Sequence, residues 1–368
     1  MFGGDGAGKP VPCAPPPPAV GLTDALVPAL QRPPCAVAFS GGRDSSLVLA
    51  AATAAARREG LAPPVAITLR FPGAPDSEET EWQQRVIGHL GVTDWVRLEL
   101  PEGLDVIGPS ARRLLLEHGP FYPANAHLVE PMLDHVAGGT IVSGLGGDEL
   151  FGLWERRRVA DVAARRARPR WTDAAPLAAM LAPPRVRMHL PRRRRLAAPV
   201  PWLRPAAQAE LDAIVAEQHA HSTSRWDRHV LAVPRARSLA LATRDIGRIA
   251  AVSGADFRVP LLDPGFTAAL AVAGGWRGFG GRGATLRALF SELLPDDVLG
   301  RRSKATFNDA FFATDTRRFA EQWSGRGLDE SVVDPIVLRA VWRAPRVDYR
   351  SALLLQRAWL HDQGAVPC

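Results

Sequence analysis

From residue 22 to residue 143, short apolar runs alternate with longer stretches whose apolar positions recur at helical spacing. Residues 22–32 predict a helix and residues 35–39 a strand. An alanine-rich amphipathic segment at 44–58 predicts a second helix, closed by Gly60. Val65 to Leu69 reads as a second strand. Asp76 and Glu79 have the spacing of a capping box for a helix that runs to Leu90 and stops at Gly91. Residues 94–100 alternate as a third strand, helical patterns follow at 105–118 and 125–137, and Thr140 to Ser143 reads as a fourth strand. From about residue 206 onward the patterns are helical, with no clear strand and no repeat of solenoid period. Strand and helix in alternation predict an α/β fold on a doubly wound parallel sheet. Such sheets bind ligands beyond the C-terminal ends of their strands. The glycine loops at 40–44 and 143–147 both follow predicted strands and open on that edge.

Composition narrows the class. The chain has 368 residues and is 46% apolar, enough for one large domain or two ordinary ones with a real core. No apolar run approaches the roughly 18–20 residues of a membrane span. Residues 1–20 lack the order of a signal peptide and read as a disordered or polyproline tail, with Pro15 to Pro18 in a row. The three cysteines, Cys13, Cys35 and Cys368, lie too far apart for a zinc site or a disulfide framework, and a cytoplasmic protein is expected. The formal charge of +7 comes almost wholly from arginine; lysine occurs at Lys9, in the tail, and at Lys304. Residues 156–205 gather arginines, including Arg192 to Arg195, among Pro and Ala. They form an Arg-rich linker or insert, read as a solvated connector rather than a surface for an anionic partner.

The richest chemistry lies at the end of the first strand, where Ser40-Gly41-Gly42-Arg43-Asp44-Ser45-Ser46 joins strand to helix. Backbone N–H groups and the positive end of a helix dipole meet there, which suits a phosphate or pyrophosphate. Asp44 adds a carboxylate able to hold Mg²⁺ beside the phosphates. The loop lacks the Gly-Lys-Ser/Thr end of a Walker loop.

Three further segments join it: Ser143-Gly144-Leu145-Gly146-Gly147-Asp148-Glu149-Leu150-Phe151-Gly152, then Asp256-Phe257-Arg258-Val259-Pro260-Leu261-Leu262-Asp263, then Leu293-Leu294-Pro295 with Arg302-Ser303-Lys304-Ala305-Thr306-Phe307. In this order, over roughly residues 22 to 310, they resemble the synthetase domain of the asparagine synthetase family, whose relatives include β-lactam synthetases and lasso-peptide macrolactam cyclases. The resemblance implies the adenine nucleotide α-hydrolase-like (PP-loop) sheet with a helical C-terminal half. Residues 21–155 would be the nucleotide-binding part and 206–368 the helical part.

The resemblance also implies an activity: ATP adenylates a carboxylate, and an amine then displaces AMP. Ser40, Gly41, Gly42, Asp44, Ser45 and Ser46 match the pyrophosphate loop. Gly144 and Gly146 belong to the second nucleotide-side loop. Asp44 and Asp148 match the two Mg²⁺ ligands. Lys304 matches a catalytic lysine that neutralises charge at the reacting phosphate. Asp256 stands where members often carry Glu, as a candidate base or amine-orienting carboxylate; a salt bridge to Arg258 is the structural alternative. Leu145 replaces the Tyr of β-lactam synthetases, which disfavours that chemistry. Leu153 and Trp154 replace the usual Gly and Tyr. Glutamine-dependent members open with a glutaminase domain led by a catalytic Cys; here Phe2 follows Met1, so ammonia from glutamine is not expected. The expectation is an ATP- and Mg²⁺-dependent, AMP-forming carboxylate–amine ligase of peptide or natural-product modification, acting with a precursor peptide or partner protein. Rivals are ammonia-dependent asparagine synthesis, a tRNA-modifying enzyme on the same loop, and a non-catalytic family member. Neither nucleic acid nor membrane is the expected partner.

Overall fold

The computed structural model describes residues 14–72, 79–101, 103–152, 154, 157–174, 177–178, 182–183, 186, 199–301 and 311–365. Five strands form one sheet: β1 (Cys35–Ala38), β2 (Val65–Arg70), β3 (Trp95–Glu99), β4 (Thr140–Val142) and β5 (Asp256–Arg258). Their order is β3-β2-β1-β4-β5, and every pairing is parallel. From β1 the chain steps outward to β2 and β3, then returns to lay β4 and β5 on the other side of β1. The direction reverses between β1 and β4, where doubly wound sheets open a crevice.

β5 corrects the expectation of no clear strand beyond residue 206. Asp-Phe-Arg is too short to show a period, and its ends are charged. It becomes a strand because β4 offers an unpaired edge, on which Thr140 pairs with Asp256 and Val142 with Arg258.

Alternate side chains of the strands enter two separate cores, as the two-residue period of a strand requires. Cys35, Val37, Phe39, Ala66 and Val142 join one cluster; Ala36, Ile67 and Ile141 join the other. The first cluster is covered by α1 (Pro18–Leu30), α2 (Arg43–Glu59) and α3 (Thr80–Leu90). Pro18, assigned to the tail on sequence, is the first residue of α1, where a missing N–H costs nothing. Leu22, Leu26 and Leu30 fall four apart on one face of α1 and are buried. Each such leucine stabilises the fold by about 1.5–3 kcal/mol. The alanines of α2 let α1 approach closely, and Gly60 and Gly91 end α2 and α3 with the left-handed backbone expected of them. The second cluster lies under α4 (Pro109–His118), α5 (Arg237–Val252) and the C-terminal helices. Burial pushes the Cys35 thiol up to about 12, so Cys35 is a core residue rather than a nucleophile. Among the described residues no helix is long and apolar enough to cross a membrane.

The capping box at Asp76 and Glu79 is also corrected. Asp76 lies outside the described residues. Glu79 occupies the N-cap of α3 rather than its third position and makes no cap bond. Its carboxylate is held instead by Arg301.

Candidate active site

Ser40, Gly41 and Gly42 turn the chain from β1 into α2. Ser45 braces the turn: its Oγ accepts from the Ser40 N–H at 3.2 Å and donates to the Gly42 carbonyl at 3.1 Å. The Ser40 hydroxyl accepts from the Gly42 N–H at 3.2 Å. Gly41 has φ +86°, and a Cβ there would stand 2.8 Å from Cγ of Gln83, so both the backbone and the space demand glycine. Two long side chains hold the loop carbonyls. Gln83 Nε2 donates to Ser40 O at 3.0 Å, and Arg301 Nη1 donates to Gly41 O at 3.0 Å. Gly42, the N-cap of α2, has no side chain with which to cap the helix. The first-turn N–H groups of a 17-residue helix are therefore left for an anion. The Ser46 hydroxyl is buried with no partner among the described residues.

The second loop leaves β4 and packs against the first. A Cβ on Gly144 would lie 3.0 Å from the backbone of Asp44 and Ser45. A Cβ on Gly147 would collide with the Asp44 carboxylate at 2.2–2.6 Å. Gly146 turns this loop with φ +89°, and Asp148 follows in the short helix Gly147–Phe151. Asp44 and Asp148 thus face one another across the switch point, and both are bound by one guanidinium, that of Arg282.

Burial raises the Asp44 carboxyl above its usual range, with Arg282 pulling the other way. Burial also works against the Arg282 charge, but Asp44 and Asp148 outweigh it and raise that guanidinium. Arg43 is lowered, first by burial and then by Arg282, against the pull of the two aspartates. Arg43, Arg282 and Arg301 crowd the same loop, a charge distribution suited to a polyanion. Asp44 Oδ1 is buried without a hydrogen-bond partner among the described residues. That spare oxygen, with a second carboxylate on the same guanidinium, suits a hard divalent cation that completes its shell with phosphate oxygens and water. No group of three or more His, Cys, Asp and Glu among the described residues would hold a metal unaided.

Beside the first loop lies a cavity of about 220 Å³, lined by Phe39, Ser40, Ile67, Leu69, Phe71, Asn125 and others. It sits at the C-terminal edge of β1 and β2, is mostly apolar, and has Ser40 at its border. Sequence reasoning missed it because its walls come from separate strands and from Phe311, far along the chain.

The other expected residues fall as follows. Lys304, with Arg302, Ser303, Thr306 and Phe307, lies outside the described residues. Asp256 opens β5 level with Thr140, at the opposite end of the strand from the glycine loops, and is paired with Arg258 at 2.6 Å. That pairing is the structural alternative weighed on sequence. Asn125, at the start of the helical pattern 125–137, makes no cap bond; its Oδ1 accepts from the Tyr349 hydroxyl at 3.2 Å while the residue lines the cavity. In the glycine-rich stretch 274–283, Phe279 packs edge-on against Trp226, whereas Trp276 is half exposed under Arg277. In the Arg-rich segment Arg158 pairs with the buried Asp173, and Arg166 pairs with Asp161 and donates to the Gly278 and Arg277 carbonyls. Arg192 to Arg195 lie outside the described residues. Arg282 and Arg301 were not singled out on sequence, and nothing local distinguishes them from the other arginines.

No curated protein gives a match to this chain. The family model described as Asparagine synthase matches residues 22–362.

Proposed function

The chain belongs to the asparagine synthase family, and on that premise we propose that it is an AMP-forming ligase that activates a carboxylate with ATP and passes the acyl group to an amine. The family's general chemistry is ATP-dependent amide-bond formation. One observation carries the finer reading: the loops after β1 and β4 converge at the switch point and bring Asp44 and Asp148 onto a common cation beside the uncapped end of α2.

The base of ATP fits the apolar cavity beside Phe39, and its polyphosphate runs toward Gly42–Ser46. A substrate carboxylate oxygen attacks the α-phosphorus, the bond to the bridging oxygen breaks, and pyrophosphate leaves into the cradle. The amine then attacks the acyl carbonyl, AMP departs, and the nitrogen loses a proton. Asp44 and Asp148 would hold Mg²⁺, whose positive charge offsets the polyphosphate. We assign Lys304 to the reacting phosphate; Arg301, three residues before it in sequence, is anchored on Gly41 O. A preorganised cation of this kind contributes on the order of 10²–10³ in rate. Asp256 is left as a structural ion-pair partner of Arg258.

Leu145, half-buried against the core, cannot move a proton, which supports an ordinary amide or lactam over a β-lactam. We favour peptide or natural-product modification, because a carboxylate and an amine on one substrate need no separate ammonia supply. ATP use and scattered cysteines favour the cytoplasm. The test is AMP and pyrophosphate release with ATP, Mg²⁺ and a panel of carboxylates and peptides. Lys304→Ala should lose at least ~10²-fold activity while still binding ATP; a near-normal rate would remove Lys304 from the chemistry.

A further inference from the structure

Arg282 opens the helix Arg282–Phe290, with Gly281 as N-cap. A cation at a helix N-terminus faces the positive end of the dipole, so the helix itself does not call for it. What it does is bridge. Nη2 donates to Asp44 and Nη1 to Asp148. The side chain is 14% exposed, and it reaches Asp44 across 238 residues of sequence. The bridge is incomplete. Nε of Arg282 and Oδ1 of Asp44 are both buried without partners among the described residues. The guanidinium and the Asp44 carboxylate are largely buried, Asp148 is 46% exposed and Arg43 adds its charge to the same field, so at the Asp44 end desolvation offsets much of the gain from pairing.

We propose that Arg282 is the resident cation of the nucleotide-free centre, and that it leaves the aspartate pair for the polyphosphate when ATP binds. This rests on the reading of Asp44 and Asp148 as the metal pair. The guanidinium and a divalent cation cannot occupy the space between those carboxylates together. Without nucleotide, a metal must displace Arg282 with nothing to receive it. With nucleotide, phosphate oxygens beside α2 offer the guanidinium a bidentate partner of the kind it prefers. Metal and nucleotide therefore bind with positive coupling, and Arg282 ends as a polyphosphate-binding residue. The arrangement also keeps the two carboxylates from repelling one another before metal and nucleotide bind.

The test titrates Mn²⁺ into the full chain by electron paramagnetic resonance, without nucleotide and with the non-cleavable α,β-methylene analogue of ATP. Without nucleotide, Arg282→Gln should bind Mn²⁺ at least ~10-fold more tightly than wild type, since two charge-assisted hydrogen bonds no longer compete. The tightening of Mn²⁺ by the analogue should be at least ~10-fold smaller in Arg282→Gln than in wild type. Should Arg282→Gln fail to fold, Arg282→Lys serves: an ammonium has no fork to hold both aspartates, so nucleotide-free Mn²⁺ binding should again tighten. Equal nucleotide-free affinities for wild type and variant, while Asp44→Asn weakens Mn²⁺ binding in the presence of the analogue, would overturn the role of Arg282 alone. Mn²⁺ binding indifferent to Asp44→Asn would overturn the metal-pair reading beneath it.

Discussion

Removing the Glu79 carboxylate should destabilise the protein by about 3 kcal/mol. Arg301 and Glu79 form a two-bond ion pair whose side chains are 5% and 6% exposed. The same guanidinium donates to Gly41 O at 3.0 Å and lies 4.7 Å from the Trp82 ring centroid. Breaking a buried pair by deleting one partner typically costs about 3–5 kcal/mol, because the other charge is left buried. The low end applies to Glu79→Ala, since Arg301 keeps the Gly41 carbonyl and the indole face. Against a total stability of about 5–15 kcal/mol this is a large fraction. Urea unfolding followed by tryptophan fluorescence reads it directly. A loss below about 1 kcal/mol would mean that the pair behaves as a solvated surface bridge, and the reasoning would fail. The double variant Glu79→Leu/Arg301→Met separates stability from function. An apolar replacement of both partners recovers much of the loss, yet the Gly41 anchor is gone, so ATP binding should stay weak while the urea midpoint returns.

Gly147→Ala drives a methyl group into the Asp44 carboxylate and should lower activity by about 10²-fold, the scale of an ångström-sized misplacement, with far-UV circular dichroism unchanged; a near-normal rate would show that Asp44 tolerates displacement. His127 is buried, with Nε2 2.8 Å from Gly103 O, and burial lowers its pKa. The unfolded chain therefore takes up a proton below about pH 6.5 that the native chain refuses, and stability is lost as pH falls through that window, by up to about 1.4 kcal/mol per pH unit. Comparing urea midpoints at pH 7.5 and 5.5 should show a fall in wild type that His127→Gln reduces; parallel behaviour would count against a neutral native His127.

The glycine turn between β1 and α2 was legible because its parts are contiguous: an apolar run, two glycines and a helix start reveal themselves within a dozen positions. The glycine stops at Gly60 and Gly91 and the strands β1 to β4 were legible for the same reason. β5 was not, since three residues with charged ends become a strand only where β4 leaves an edge unpaired. Glu79 looked like a cap because acidic residues near helix starts usually serve the backbone, and its true partner is far along the chain. Arg282 and Arg301 stayed hidden because they are separated by 238 and 260 residues from the loop atoms they hold. In a chain with 45 Lys and Arg residues no single arginine stands out. Attention to the scarce lysines pointed to Lys304, outside the described residues, and passed over the arginines that hold the folded loop.

The central claim is that the carboxylate passes through an acyl-adenylate, and oxygen labelling tests it most directly. A substrate carboxylate carrying ¹⁸O, turned over with ATP and Mg²⁺, should deliver one ¹⁸O atom to the phosphate of AMP and none to pyrophosphate. Label in inorganic phosphate together with ADP, or amide formed with unlabelled AMP, would contradict the account.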